Sequence, residues 1–189
     1  MSSRPRTLPP EERRDQLLQV AERMFLKQGV APTTVEQITQ AAGVAKGTFY
    51  LYFKSKEDVL AALEGRFERR HLAALATAMA KAAAASWRDR LGVWIRANIA
   101  FYLDSIRLHD LLFFGTRPAS REGLVDNVVI DHLEAFLKEE IAEDARFTAV
   151  FLFSAIHAAV DDAYSREKTV NRKRLAANIE RLCLATLGL

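Results

Sequence analysis

Cysteine occurs once in this chain of 189 residues, at Cys183. That excludes an internal disulfide and a zinc site built from cysteine pairs, and a lone thiol among aliphatic neighbours reads as a small buried hydrophobe. Proline and glycine are scarce as well, at 5 and 8 residues, so long stretches carry no helix breaker. No apolar run approaches the ~18–20 residues that a membrane span requires. The first twelve residues hold no apolar stretch of the kind a secretory signal needs, so the expected home is a reducing cytoplasm, with no membrane partner. There is no alternating strand pattern, internal repeat or low-complexity linker. A nucleophile–base pattern, a phosphate loop and a metal-ligand cluster are also missing, and the four histidines are scattered. The expectation is a protein that is not an enzyme and takes no cofactor and no metal.

What is present is helical material. Half of the residues are apolar, alanine and leucine are abundant, and a core is feasible for one medium domain or two small ones. The net charge of +3 is unevenly placed. Residues 1–70 carry 12 Lys and Arg against 9 Asp and Glu, whereas residues 71–189 are balanced at 15 against 15. The excess positive charge thus sits in the first third, where it suits an anionic partner.

Helix signals order the chain. Pro9-Pro10 followed by Glu11-Glu12 opens a first helix, which Gly29 closes. Thr34 is a natural N-cap for a short second helix, with Glu36 in its first turn and Gly43 at its end. A third helix is predicted over residues 46–53, and a fourth, capped by Ser55, over residues 56–85. Two short helices joined by a glycine-containing turn describe a helix-turn-helix. Further helices are expected over residues 87–106, 124–141, 145–166 and 171–187, with a short apolar piece at 111–114 and a loop at 115–123. The reading is all-α, about nine helices. Residues 1–55 form a three-helix head and 56–189 a larger helical domain.

The segment VAKGTFYLYFKSK, residues 44–56, places two Phe and two Tyr in five positions and adds three Lys without an acid. On a wheel of roughly 100° per residue, Phe49 and Phe53 share one side, about 40° apart, while Gly47, Thr48, Tyr50 and Leu51 fall on the other half. The phenylalanines can anchor the helix to its own core. The opposite face, with Lys46 at its border, suits a major groove: Lys46 for a phosphate or guanine edge, Gly47 for close backbone approach, Thr48 and Leu51 for base edges or a thymine methyl. Tyr50 and Tyr52 can donate to phosphates, and Lys56 and Thr34 can hold the flanking strands. On the wheel alone, a plain surface helix of a bundle fits as well.

The stretch TTVEQITQAAGVAKGTFYLYFKSKEDVL resembles the DNA-binding signature of the TetR family of bacterial transcriptional regulators. The paired Thr, the Ala-Gly-Val turn, Lys-Gly-Thr, the aromatic run and Ser-Lys-Glu all keep the family's spacing, over about residues 11–63. The resemblance implies an all-helical homodimer with a helix-turn-helix head and an effector-binding and dimerisation domain. It implies a repressor that binds a palindromic double-stranded DNA operator and is released by a small-molecule effector. By motif position, the DNA contacts fall on Thr34, Lys46, Gly47, Thr48, Tyr50, Leu51, Tyr52 and Lys56. Two residues depart from the pattern. Ala45 stands where Ser or Thr is common, which removes a cap from the third helix, and Thr39 replaces a small Ala in the second.

Beyond residue 63 no motif identifies the effector. The large aromatics and embedded polar residues that could line its site are Trp94, Asn98, Phe101, Phe114, Phe136, His157 and Asp161, although most of the aromatics read more readily as ordinary core. His157 and Asp161, four residues apart, suit a His–Asp pair better than a metal site. With the resemblance in view, the expected dimer surface comprises Phe151, Ser154, Ala155 and Ala158 on one helix and Leu175, Ile179 and Leu182 on the last.

Overall fold

A computed structural model describes residues 8–113, 127–141, 143–167 and 169–189. Among these residues there are eight helices and no strand: α1 Pro10–Gln28, α2 Val35–Ala42, α3 Lys46–Tyr50, α4 Lys56–Lys81, α5 Trp87–Phe113, α6 Val128–Leu137, α7 Ala145–Arg166 and α8 Arg172–Thr186. No described helix is long and apolar enough to cross a membrane.

The chain divides into two compact units. The first holds α1 to α3, the start of α4 through Arg66, and the end of α5 from Arg107; the second holds the remainder of α4 and α5 together with α6 to α8. In the first unit, Leu17, Leu18, Ala21 and Phe25 of α1, Ile38 of α2, Phe49, Phe53, Val59 and Leu63 are buried. Each fully buried side chain of this size contributes ~1.5–3 kcal/mol through removal from water. Arg66 pairs with Glu22 across α4 and α1. Arg107, near the end of α5, donates to the Leu26 carbonyl at 3.2 Å.

The second unit is built around Leu75, Leu91, Trp94, Ile95, Ile99, Tyr102, Leu133, Leu137, Leu152, Ile156 and Leu184. Cys183 lies in this core, and burial pushes its thiol up to about 11.

Helix limits differ from the sequence expectation where local turns intervene. α4 ends at Lys81, because residues 82–85 tighten into i→i+3 bonds such as Ala85 N–H to Ala82 O at 2.9 Å. Ser86 then caps α5, accepting from the Asp89 N–H at 3.1 Å. α5 runs on to Phe113, so residues 111–113 are its last turn and not a separate piece. α6 starts at Val128 behind the Asn127 cap, and the predicted loop at 115–123 lies outside the described residues.

Candidate nucleic-acid interface and effector region

The helix-turn-helix is assembled by local chemistry. Thr34 and Gln37 form a reciprocal cap on α2: the Gln37 N–H donates to Thr34 Oγ1 at 3.1 Å, and the Thr34 N–H donates to Gln37 Oε1 at 3.0 Å. The Thr34 hydroxyl accepts in this box, which leaves its own proton for an outside acceptor. Gly43 ends α2 at φ +67°, a left-handed conformation that favours glycine, and the Val44 N–H closes the turn on the Thr39 carbonyl at 2.9 Å. Thr39 is buried, and its hydroxyl donates back to the Val35 and Glu36 carbonyls, so the extra oxygen is satisfied within α2.

α3 begins without a side-chain cap, since Ala45 has no oxygen to offer. The helix proper ends at Tyr50, three residues short of the expected Phe53, although the Phe53 N–H still reaches the Phe49 carbonyl at 3.0 Å. Packing stabilises so short a helix. Phe49 and Phe53 are buried with ring centroids 5.7 Å apart, and the Arg14 guanidinium lies 5.1 Å from the Phe53 ring.

The opposite face is open. Tyr50 is 53% exposed and Leu51 79%. Lys46 and Gly47 are exposed, and Thr48 and Tyr52 half-buried. A Cβ added at Gly47 would meet no atom within 4 Å, so packing within the chain does not require glycine there.

The two lysines stand differently. Lys46 Nζ donates to Glu36 Oε1 at 2.7 Å on an exposed surface. The hydrogen bond between them holds the Glu36 carboxyl below its usual range and raises the Lys46 ammonium. Sequence reasoning placed Glu36 only as a first-turn acid; its spacing of ten residues from Lys46, across the turn, was the available signal. Lys56 Nζ donates to the Val30 and Ala31 carbonyls at 2.9 and 3.2 Å, joining the start of α4 to the connection after α1. Two of its three donors are thereby engaged in the fold.

In the second unit, α5 presents a row of polar groups one helical turn apart. Trp94 Nε1 donates to His132 Nδ1 at 3.0 Å, and burial lowers the His132 pKa. The Tyr102 hydroxyl donates to Asp161. His157 Nδ1 donates to the Phe153 carbonyl at 3.0 Å. Between these pairs Asn98 is 0% exposed, and neither its Nδ2 nor its Oδ1 has a hydrogen-bond partner among the described residues.

The aromatics predicted for the effector are engaged in packing. Phe136 stacks on Trp87 at 5.6 Å and lies 5.0 Å from the Arg90 guanidinium. Phe101 stacks on His71 at 4.2 Å. Phe114 lies outside the described residues. A groove of about 700 Å³ is lined by Ala73, Ala74, Thr77, Ala78, Lys81, Ala82 and Val93, and it includes none of the residues predicted for the effector.

On α7, Phe147 (73% exposed), Phe151 (48%), Ser154, Ala155 and Ala158 form an uncovered face. Leu182 of α8 is exposed and Leu175 half-buried, whereas Ile179 is buried in the chain's own core and is not available to a partner.

A capped short helix, a left-handed turn and a short exposed helix locked by two inward phenylalanines define the first unit as a helix-turn-helix head on an all-helical chain. Residues 17–63 match the family model of bacterial regulatory proteins, tetR family. Over these residues, about a quarter of its length, the chain carries the DNA-binding region of the tetR family. Over 51 residues it is 47% identical to the HTH-type transcriptional repressor KstR2 of Mycolicibacterium smegmatis, a match covering 27% of this chain and 25% of that repressor. The chain thus spans about a quarter of the length of that curated relative. Across nearly the whole chain the fold is similar to that of a TetR-like transcriptional regulator from Rhodococcus sp. RHA1. That likeness has a TM-score of 0.68 and 25% identity, and covers 96% of this chain and 99% of the other. It is also similar to the transcriptional regulator FadR of Bacillus subtilis in complex with stearoyl-CoA, with a TM-score of 0.70 and 22% identity, covering 90% and 97%.

Proposed function

We propose that this chain is a repressor that binds a palindromic DNA operator as a homodimer in the bacterial cytoplasm and leaves it when a small molecule binds the second unit. The observation that carries the reading is the division of α3. Phe49 and Phe53 anchor it, while Lys46, Gly47, Thr48, Tyr50 and Leu51 stand on the open side. A side-chain-free Gly47 with open space around it suits close approach to a base pair. The capped start of α2, with the Thr34 proton uncommitted, suits a phosphate.

Two heads in successive major grooves must stand about 34–36 Å apart for half-sites one turn apart. The uncovered apolar face of α7, continued by Leu182, supports a twofold pairing that sets this spacing. A ligand that binds better to a state with a different spacing shifts the population off DNA. Asn98, fully buried and without a side-chain hydrogen-bond partner among the described residues, supports an effector site in the second unit. The structural neighbour FadR, solved in complex with stearoyl-CoA, supports a small-molecule ligand for this fold type.

The test is a duplex from the region upstream of the chain's own coding sequence, titrated with protein across salt. Affinity is expected to fall steeply with salt as phosphate contacts are screened. Tyr50→Ala is expected to weaken binding about tenfold, the loss of one phosphate hydrogen bond at about 1.4 kcal/mol, and to leave the dimer intact. Unchanged affinity in that variant would refute the assignment of the open face.

A further inference from the structure

We propose that Glu36 and Lys46 act together as a reader of one guanine–cytosine base pair, with Glu36 setting the sequence discrimination of the head. This rests on the DNA-binding reading above. Glu36 is the second residue of α2 and Lys46 the first of α3, so the pair closes across the turn, with Nζ and Oε1 2.7 Å apart. Both side chains are exposed, and Lys46 directly precedes Gly47 at the start of α3.

The pair has two physical consequences. An ammonium that already faces a carboxylate adds no net charge, so on arbitrary DNA Lys46 releases no extra counterion and non-specific binding is weakened. An ammonium held by one of its three donors is also kept from swinging to the nearest phosphate, and its two other donors remain for an acceptor in front of α3. Guanine presents N7 and O6 there, and the paired cytosine presents the N4 donor, which Glu36 Oε2 can accept. A joined ammonium and carboxylate is therefore complementary to a G·C pair. At an A·T pair the adenine N6 and thymine O4 interchange donor and acceptor, and one of the two charged groups is left without a partner.

The experiment selects bound sequences from a random duplex library with the wild-type chain. Wild type, Glu36→Gln and Lys46→Met are then compared on the selected duplex and on a scrambled duplex of equal composition, across salt. Glu36→Gln frees Lys46 for a phosphate. The scrambled duplex is expected to bind about fivefold more tightly near physiological salt, with the salt slope steeper by ~0.9. The selected duplex loses the Glu36 contact to the cytosine N4 and does not share that gain, so discrimination falls by at least about fivefold. Both variants are expected to lose the preference at one G·C position, and thermal melts establish that each is folded. Unchanged scrambled-duplex affinity and slope in Glu36→Gln would overturn the inference, as would an equal rise on both duplexes. If the wild type selects no sequence and binds no duplex, the DNA-binding reading falls and this inference with it.

Discussion

Replacing Asn98 by leucine should make the protein more stable. The side chain is wholly buried on the inner face of α5, and its two polar atoms have no partner among the described residues. Each buried unsatisfied group costs about 1–3 kcal/mol relative to a solvated one. Leucine is close in size, has no polar atom, and is the better helix former by a few tenths of a kcal/mol. Against this stands imperfect fit at a packed site, about 1.5 kcal/mol at most for a volume-conserving change. The balance is a gain of about 2 kcal/mol, which raises Tm by ~4–8 °C in a chain of this length. Calorimetry on wild type, Asn98→Leu and Asn98→Ala reads it, with the alanine gaining less because it leaves a void. If Asn98 anchors the effector, the leucine variant is also the one that no longer leaves DNA in response to it. A fall in Tm of several degrees in Asn98→Leu would refute the reasoning, since it would mean that the amide is well hydrogen-bonded in solution.

Two further expectations follow from named contacts. Lys56→Ala should destabilise the first unit by about 1–2 kcal/mol, because two charge-assisted hydrogen bonds to the Val30 and Ala31 carbonyls are lost at a partly exposed site. Hydrogen exchange at residues 30–34 reports this, and weakened DNA binding with unchanged exchange would assign Lys56 to phosphate alone. His132 accepts from Trp94 as the neutral ring, and burial lowers its pKa below the ordinary 6.5. The unfolded chain takes up the proton first as pH falls. The contribution is therefore complete above about 6.5 and is lost as pH drops through the folded value. His132→Asn, which retains an acceptor, should flatten the stability profile in that acid window, as measured by denaturant melts at several pH values. An unchanged profile would rule out His132 as the source.

The sequence by itself determined what depends on residues within about a turn of one another. The Thr34 cap, the Gly43 turn, the missing cap at Ala45, and the opposition of Phe49 and Phe53 to Tyr50 and Leu51 all follow from spacing along a helix, and the structure agrees at each. Periodicity encodes which face is apolar, because side chains three or four residues apart share a face. Partner choice across greater distances was decided only by tertiary packing. Lys56 reaches carbonyls 25 and 26 residues earlier, Glu36 takes Lys46 across the turn, and Asp161 serves Tyr102 from 59 residues away. Ile179 turns inward although its pattern matches that of exposed Leu182. A charged or polar side chain carries no record of which of several reachable partners the packed helices will bring within 3 Å, and so the polar row along α5, with Asn98 unpaired among the described residues in its middle, exists only in the folded chain.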